Sequence, residues 1–389
     1  MGQKILIQDS PPKRIPLNLV DQSITEPPTP TDFEYLVVKS RLKASFGNFP
    51  TTLSLEHFNR FLLELPDTPE MYTSYEEAKS ALTRHSKLET YLISLMPQSS
   101  TLAISGYESV SDGLPVKQSI CLGDKIRTKK FLLAIKQAIE VLERKVQGDI
   151  YVLDAGSGVI PVLSLYAAMC SKRVRCTALE LNPNSYRIAK EFIESLGFQN
   201  RIDIEQADAI RYCPNGKVHL LVSETMRSSL NEEPMVQIMG NLSRYLATDG
   251  IILPSKVILK AGFLRYDKDE DRPRVIVNNT IGLVVEPDWK ENLTYNPYEE
   301  EPKQINFSLN TNNMKPGTYY VTIGSDIFLG DSIKLTGFDS SLSCPIRTQH
   351  LISHSPTFKL DEQNVGKMTI KINYRPGSHG EILYSVLSH

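Results

Sequence analysis

Apolar side chains recur at helical spacing in two early stretches. Phe58, Phe61, Leu62 and Leu65 predict a mainly helical segment over residues 33–95. Phe131, Ile135, Ile139 and Leu142 form a stripe opposite Lys and Glu, which predicts a helix running from Asp124. From there the period switches back and forth. Short apolar runs at 149–153, 174–179, 202–206 and 218–223 read as strands, and 160–170, 185–196 and 233–246 read as helices. That alternation predicts right-handed βαβ units around a mostly parallel sheet. Residues 251–254 close it. Beyond them the pattern is two-residue alternation between turn signals, clearest at 368–374 and repeated at 317–323 and 381–386. These runs predict a β domain, a sandwich or barrel.

Four sections follow: a proline-rich arm over 1–32 (Pro11, Pro12, Pro16, Pro27, Pro28, Pro30), a helical extension over 33–95, an α/β domain over 96–254 and a β domain over 255–389. Composition narrows the function classes. With 43 basic and 45 acidic residues the net charge is −2, so no global basic field points to nucleic acid or an anionic membrane. Five scattered cysteines, Cys121, Cys170, Cys176, Cys213 and Cys344, form no Cys-x-x-Cys pair. This predicts no disulfide framework, no metal site and a reducing cytoplasmic setting. The first residues lack the apolar core of a signal peptide, and no apolar run approaches a membrane span.

The candidate chemistry lies in three segments. Asp154-Ala155-Gly156-Ser157-Gly158 stands between a strand and a helix, where glycines let a backbone approach a ligand closely. Pro161 occupies the place of a third glycine, which disfavours a dinucleotide. Glu180 ends the next strand, 26 residues after Asp154, where an acid accepts hydrogen bonds from ribose hydroxyls. Asp208, ending the third strand, is a candidate acceptor for an adenine amino group. Ser223-Glu224-Thr225-Met226 ends the fourth strand, with Glu233 nine residues after Glu224. Two carboxylates on one loop repel unless a cation stands between them. A guanidinium fits, since carboxylates bind its planar fork bidentately. Each charge-assisted bond contributes about 1.5–3 kcal/mol. Spacing alone does not choose between Glu232 and Glu233.

With these motifs in this order, the chain resembles the protein arginine methyltransferase family. The family's loop carries two glutamates nine apart, which selects Glu224 and Glu233 as the catalytic pair. Residues 246–254 resemble the family's end-of-domain segment, and Asp124-Lys125-Ile126-Arg127-Thr128 is similar to its Asp-x-x-Arg-Thr helix. The resemblance covers about residues 105–260. It implies a Rossmann-like domain that binds S-adenosylmethionine, followed by a β-barrel-like domain whose arm, within 265–305, builds a homodimer. It also implies that Arg127 grips the cofactor's carboxylate, with Asp154, Gly156, Gly158, Glu180 and Asp208 completing the cofactor site and Met226 lining the substrate side.

Departures from the family pattern point to an altered substrate channel. Thr225 and Arg227 stand where the family has Trp and Gly. Its Thr-His-Trp has only Thr348-Gln349-His350 as counterpart, with His354 beyond, and Tyr75 and Tyr107 are loose counterparts of its paired tyrosines. The implied activity is methyl transfer to a guanidino nitrogen of free arginine, another small guanidine or protein arginine. Arg227 favours a small acceptor by offering a cation for an α-carboxylate, and His350 or His354 is a candidate to take the proton. The rival expectations are a methyltransferase acting on another amine or a hydroxyl, and a non-catalytic binding subunit.

Overall fold

The computed structural model describes residues 50, 52–72, 76–77, 86–97, 122–230, 233–265, 274–277, 280–283, 288–296, 305–340, 342–343, 357–363, 365–374 and 383–388. The proline-rich arm and the positions Tyr75, Tyr107, Cys121, Glu232, Cys344, His350 and His354 lie outside the described residues.

In chain order the elements are α1 (Leu55–Leu63), β1 (Met71–Tyr72), α2 (Lys87–Ser94), α3 (Lys125–Lys145), β2 (Ile150–Ala155), α4 (Val162–Cys170), β3 (Val174–Glu180), α5 (Pro183–Ser195), β4 (Ile202–Gln206), β5 (Val218–Ser223), α6 (Met235–Leu242) and β6 (Leu246–Leu253). They continue as β7 (Lys256–Arg265), β8 (Arg274–Val277), β9 (Thr280–Leu283), β10 (Asp288–Tyr295), β11 (Ile305–Asn310), β12 (Gly317–Phe328), β13 (Lys334–Leu335), β14 (Thr357–Leu360), β15 (Met368–Tyr374) and β16 (Leu383–Ser388).

The expected βαβ rhythm is present. The central sheet runs β4-β3-β2-β5-β6 and is parallel throughout. The chain moves outward from β2 through β3 to β4, then crosses to β5 on the other side of β2. The carboxyl ends of β2 and β5 therefore flank the switch point at which open sheets bind ligands. Strand interiors such as Val152, Leu153, Ala178, Leu179, Leu220, Leu221 and Val222 are buried, as expected for a parallel sheet covered on its faces.

Helix ends are set by local chemistry. Asp124 caps α3 by accepting from Arg127 N, and Asn182 caps α5 through Asn184 N and Ser185 N, with Pro183 inside the first turn. At the far end of α3 the Arg173 guanidinium donates to the carbonyls of Glu143, Val146 and Gly148, satisfying acceptors that a helix terminus leaves open.

Beyond β6 the described strands pair antiparallel. One sheet runs β10-β7-β12-β13 with β14 also on β12, and a second runs β11-β15-β16. A third joins β1, from the N-terminal segment, to the β8–β9 hairpin of the same chain. That hairpin lies in the stretch expected to form an arm.

The N-terminal segment does more than extend the chain. Phe58, Phe61, Leu62, Tyr91 and Leu92 belong to the same continuous core as Phe131, Leu132 and Ile135 of α3. The Phe58 ring lies 5.0 Å from the Tyr166 ring, and Tyr166 Oη donates to Asn59 Oδ1 at 2.8 Å. Lys129 is buried, and its ammonium donates to Leu65 O at 2.7 Å and pairs with Asp67 at 2.9 Å. Lys129→Met keeps the apolar stem and leaves the Leu65 carbonyl unpaired. Its expected cost is about 1–3 kcal/mol of stability, measured as a shift in the urea midpoint at unchanged slope.

Candidate functional site

The glycine turn after β2 is held from three sides. Gly156 N and Ser157 N both donate to Leu179 O at 2.9 Å, and Gly158 N donates to Glu180 Oε2 at 2.9 Å. Gly156 has φ +87°, and a Cβ there would come within 2.1 Å of Thr225 Cγ2, so glycine is required twice over.

Asp154 is fully buried. Its Oδ2 accepts from Ser164 N at 3.2 Å and Ser164 Oγ at 2.7 Å, tying β2 to the first turn of α4. The N–H groups of 156, 157, 158 and 164 are thus all engaged within the chain. These four N–H groups are not available to a phosphate, which suits a nucleoside without a phosphate chain better than a dinucleotide.

Polar groups remain for such a ligand. Asp154 Oδ1 and Ser157 Oγ are buried with no hydrogen-bond partner among the described residues. Glu180 is nearly buried at the β3 end, with Asn182 N on its Oε1 at 2.7 Å. Burial pushes its carboxyl up, against the opposing pull of the N–H groups of Asn182, Gly158 and Leu181. Asp208 stands two residues past β4. It closes a turn by accepting from Ile210 N at 2.9 Å, and its side chain is 37% exposed.

The carboxylate loop after β5 is fastened to the glycine turn. Ser223 Oγ donates to Ala155 O at 2.9 Å and lies 2.8 Å from Thr225 Oγ1, while Thr225 Cγ2 packs over Gly156. Glu224 stands between these anchors, and Arg127 Nη1 donates to its Oε1 at 2.7 Å, with side chains 6% and 11% exposed. Glu233 pairs with Arg227 Nε at 3.4 Å in a more open setting, 40% and 58% exposed.

The cation that the two glutamates require is therefore present twice within the chain, which the sequence reading did not foresee. Its physical basis is plain: the guanidinium of Arg127 comes from the first turn of α3, 97 residues upstream. Glu233 precedes α6 by two residues instead of lying in its first turn. Met226 is 2% exposed and belongs to the core, because the loop dips into the interior after Glu224. His350 lies outside the described residues.

Past Arg227 the backbone is strained. Ser229 and Leu230 have φ of 64° and 60°, unusual for residues with a Cβ, and both are buried. Ser229 Oγ donates to Ile323 O of β12 at 2.8 Å, so the β region holds the loop in this form. Ser229 and Ser164 belong to no motif of the sequence. An isolated serine carries no pattern, and only its partners reveal its task.

Among the described residues no group of three His, Cys, Asp or Glu is arranged to hold a metal ion, and no helix is long and apolar enough to cross a membrane.

No protein-family model matches the chain. An uncharacterised protein of Methanocaldococcus jannaschii is 34% identical over 137 residues, 33% of this chain and 51% of the relative. A tRNA1(Val) (adenine(37)-N6)-methyltransferase of Actinobacillus pleuropneumoniae serotype 7 is 33% identical over 117 residues, 29% of this chain and 47% of the relative. The chain spans about half the length of the curated relatives it matches. Among solved structures, the Trypanosoma brucei PRMT1 enzyme–prozyme heterotetrameric complex with AdoHcy covers 69% of this chain and 96% of its own, with a TM-score of 0.47 at 14% identity. At that TM-score the likeness carries no inference about this chain.

Two outcomes follow from this geometry. Gly156→Ala should cost about 2–4 kcal/mol, part from the left-handed backbone and part from the clash. Adding Thr225→Ser removes Cγ2, keeps the hydroxyl and should recover only the clash part in chemical denaturation. Burial, opposed by Ser164 and assisted by the charge of Glu180, pushes the Asp154 carboxyl from its ordinary 3.8 up to about 6. Its folded pKa lies above its unfolded one. Its stabilising contribution is therefore full below about pH 4 and lost as pH rises through about 6. Asp154→Asn keeps an acceptor for Ser164 and removes this dependence. Relative to the wild type, the variant's stability should improve by on the order of 3 kcal/mol between pH 4 and pH 7, read from urea midpoints.

Proposed function

We propose that the chain is an S-adenosylmethionine-dependent methyltransferase whose acceptor is a guanidino nitrogen of arginine. The observation that carries the reading is the joining of the carboxylate loop to the glycine turn. Ser223 holds Ala155, Thr225 covers Gly156, and Glu224 is set between them at the mouth of the switch-point crevice. Whatever Glu224 orients stands beside whatever the glycine turn holds.

The residues fit the cofactor without its presence. Glu180 offers a buried carboxylate for ribose hydroxyls, Ser157 Oγ offers an orphaned polar atom at the turn, and the N–H groups of 156, 157 and 158 are already bonded within the chain. In this reading Arg127, which is bonded to Glu224, would also hold the cofactor's carboxylate. Bound S-adenosylmethionine supplies an electrophilic methyl on a sulfonium.

The chain's own part is orientation. Glu224 already accepts a guanidinium N–H in a nearly buried setting, the same contact an arginine acceptor would make. A carboxylate on one guanidino nitrogen draws positive charge toward itself and leaves the other nitrogen to attack. Holding that nitrogen in line supplies much of the rate. At the rim, the exposed Glu233–Arg227 pair matches a zwitterion, whose cationic end faces Glu233 and whose carboxylate faces Arg227. Free L-arginine or a small relative is the acceptor this favours over a peptide. A homodimer built through the 265–305 segment belongs to the same proposal.

A second reading, transfer to an exocyclic amino group, is favoured by the relative named for adenine-N6 methylation.

Labelled methyl transfer from S-adenosylmethionine decides between them. L-arginine, an arginine-rich peptide and an adenine-containing RNA are offered separately, with products read by mass spectrometry. The expected result is label on L-arginine, reduced about 100-fold or more in Glu224→Gln because a nearly buried charge loses its partner. Label on the RNA alone, untouched by Glu224→Gln, would overturn the guanidino assignment.

A further inference from the structure

Behind Glu224 the buried polar groups form a closed circuit that passes through the β region. Arg127 Nη1 holds Glu224 at 2.7 Å. Asp124 Oδ1 accepts from Arg127 N at 3.4 Å, and Asp124 Oδ2 stands 3.8 Å from Arg127 Nε. That same Oδ2 accepts from Ser340 Oγ at 2.8 Å, across 216 positions of sequence. Ser340 Oγ in turn accepts from Leu342 N at 3.1 Å, and Leu342 O accepts from Ser325 Oγ at 2.7 Å. Ser325 Oγ accepts from Ser229 N at 3.4 Å. Ser229 lies five residues after Glu224, so the path returns to the loop where it began. Asp124, Arg127, Ser229, Ser325 and Ser340 are all buried.

We infer that Ser340 is a positioning residue of the active site. It acts through Asp124 to keep the Arg127 guanidinium on Glu224 and open to the cofactor's carboxylate. The reason lies in a competition between two carboxylates for one guanidinium. Asp124 is close enough to Arg127 to form a tight ion pair with it. The hydrogen bond from Ser340 turns Oδ2 aside and holds it at 3.8 Å from Nε, which leaves Glu224 as the near partner. Without that hydroxyl, Asp124 swings onto Arg127 and draws it off Glu224.

The segment that carries Ser340 is itself pinned. Lys130, next but two to Arg127 on α3, donates to Lys334 O at 2.9 Å and to Asp339 Oδ2 at 2.8 Å, and Asp339 Oδ2 also accepts from Thr336 N at 2.9 Å. The β region thus reaches the catalytic arginine at a fixed register. Buried networks of this kind are rigid only while every member is satisfied.

The inference rests on the methyltransferase reading for the identity of the cofactor, and two measurements on the full chain keep them separable. The first is calorimetric titration with S-adenosylhomocysteine. Ser340→Ala should weaken binding about tenfold, the affinity equivalent of one charge-assisted hydrogen bond. Ser343→Ala serves as the control. Among the described residues its hydroxyl donates only to Ser340 O, at 3.3 Å, and it is equally buried, so affinity should stay within about twofold of wild type. Wild-type affinity in Ser340→Ala overturns the inference. If Ser340→Ala does not fold, Ser325→Ala breaks the same circuit on its other side and is read by the same criterion.

The second measurement needs no cofactor. It is a double-mutant cycle between Ser340→Ala and Glu224→Gln, followed by urea unfolding. The shortest path between the two side chains runs through Asp124 and Arg127, so the circuit predicts that the double variant loses less stability than the two single variants together. Midpoint shifts that simply add overturn it. A wild-type chain that binds no S-adenosylhomocysteine would sink the methyltransferase reading, and the cycle would still decide the circuit.

Discussion

The ion pair between Arg127 and Glu224 is the contact on which the site depends. Both side chains are nearly out of water, and removing two charges from solvent costs several kcal/mol each before their attraction returns anything. Such a pair persists only where further hydrogen bonds satisfy it and the geometry is enforced. Here α3 supplies the arginine, β5 the glutamate, and Asp124 at the cap of α3 a second carboxylate that both completes and threatens the arrangement. Structural and functional demands meet at one guanidinium. It neutralises Glu224 at the end of β5, and in the proposed reaction its position sets what that carboxylate orients.

The loop after β5 shows how that arrangement is stabilised from outside the α/β sheet. Two consecutive non-glycine residues in the left-handed region cost energy that local sequence does not return. The compensation is tertiary: Ser229 is pinned to β12 by its hydroxyl, and Leu230 is buried. The β region is thus a wall against which the carboxylate loop is shaped. The N-terminal segment plays a similar part, where Lys129 and Tyr166 tie it to α3 and α4. These two helices frame the glycine turn, so residues that carry no chemistry still hold it in place.

Electrostatics at the turn favour one ligand class. Asp154 already serves as the anion at the start of α4, and Glu180 already collects N–H groups from both sides of the crevice. A phosphate would find the N–H groups of 156, 157, 158 and 164 taken and two carboxylates opposing it. A neutral ribose, which can donate to Glu180, meets no such conflict.

Much of this was legible along the chain. The bounds of β4, β5 and β15 coincide with their apolar runs, and Asp124, Asn182 and Pro183 announce their helices, because these features follow from side-chain period and capping within a few residues. Gly156, Glu180 and Glu224 stood out for the same local reason: each sits where a strand must end and a ligand can approach. What sequence could not supply was partnership. Nothing in the chain's pattern joins Glu224 to Arg127, Asp124 to Ser340 or Ser229 to β12, since these contacts span 97, 216 and 94 positions and leave no periodic trace. Met226 went inward for the same cause, as its exposure depended on how a strained loop met a distant strand. Residue type and spacing determined which groups could do chemistry. Only the packing of three distant segments decided which of them face one another.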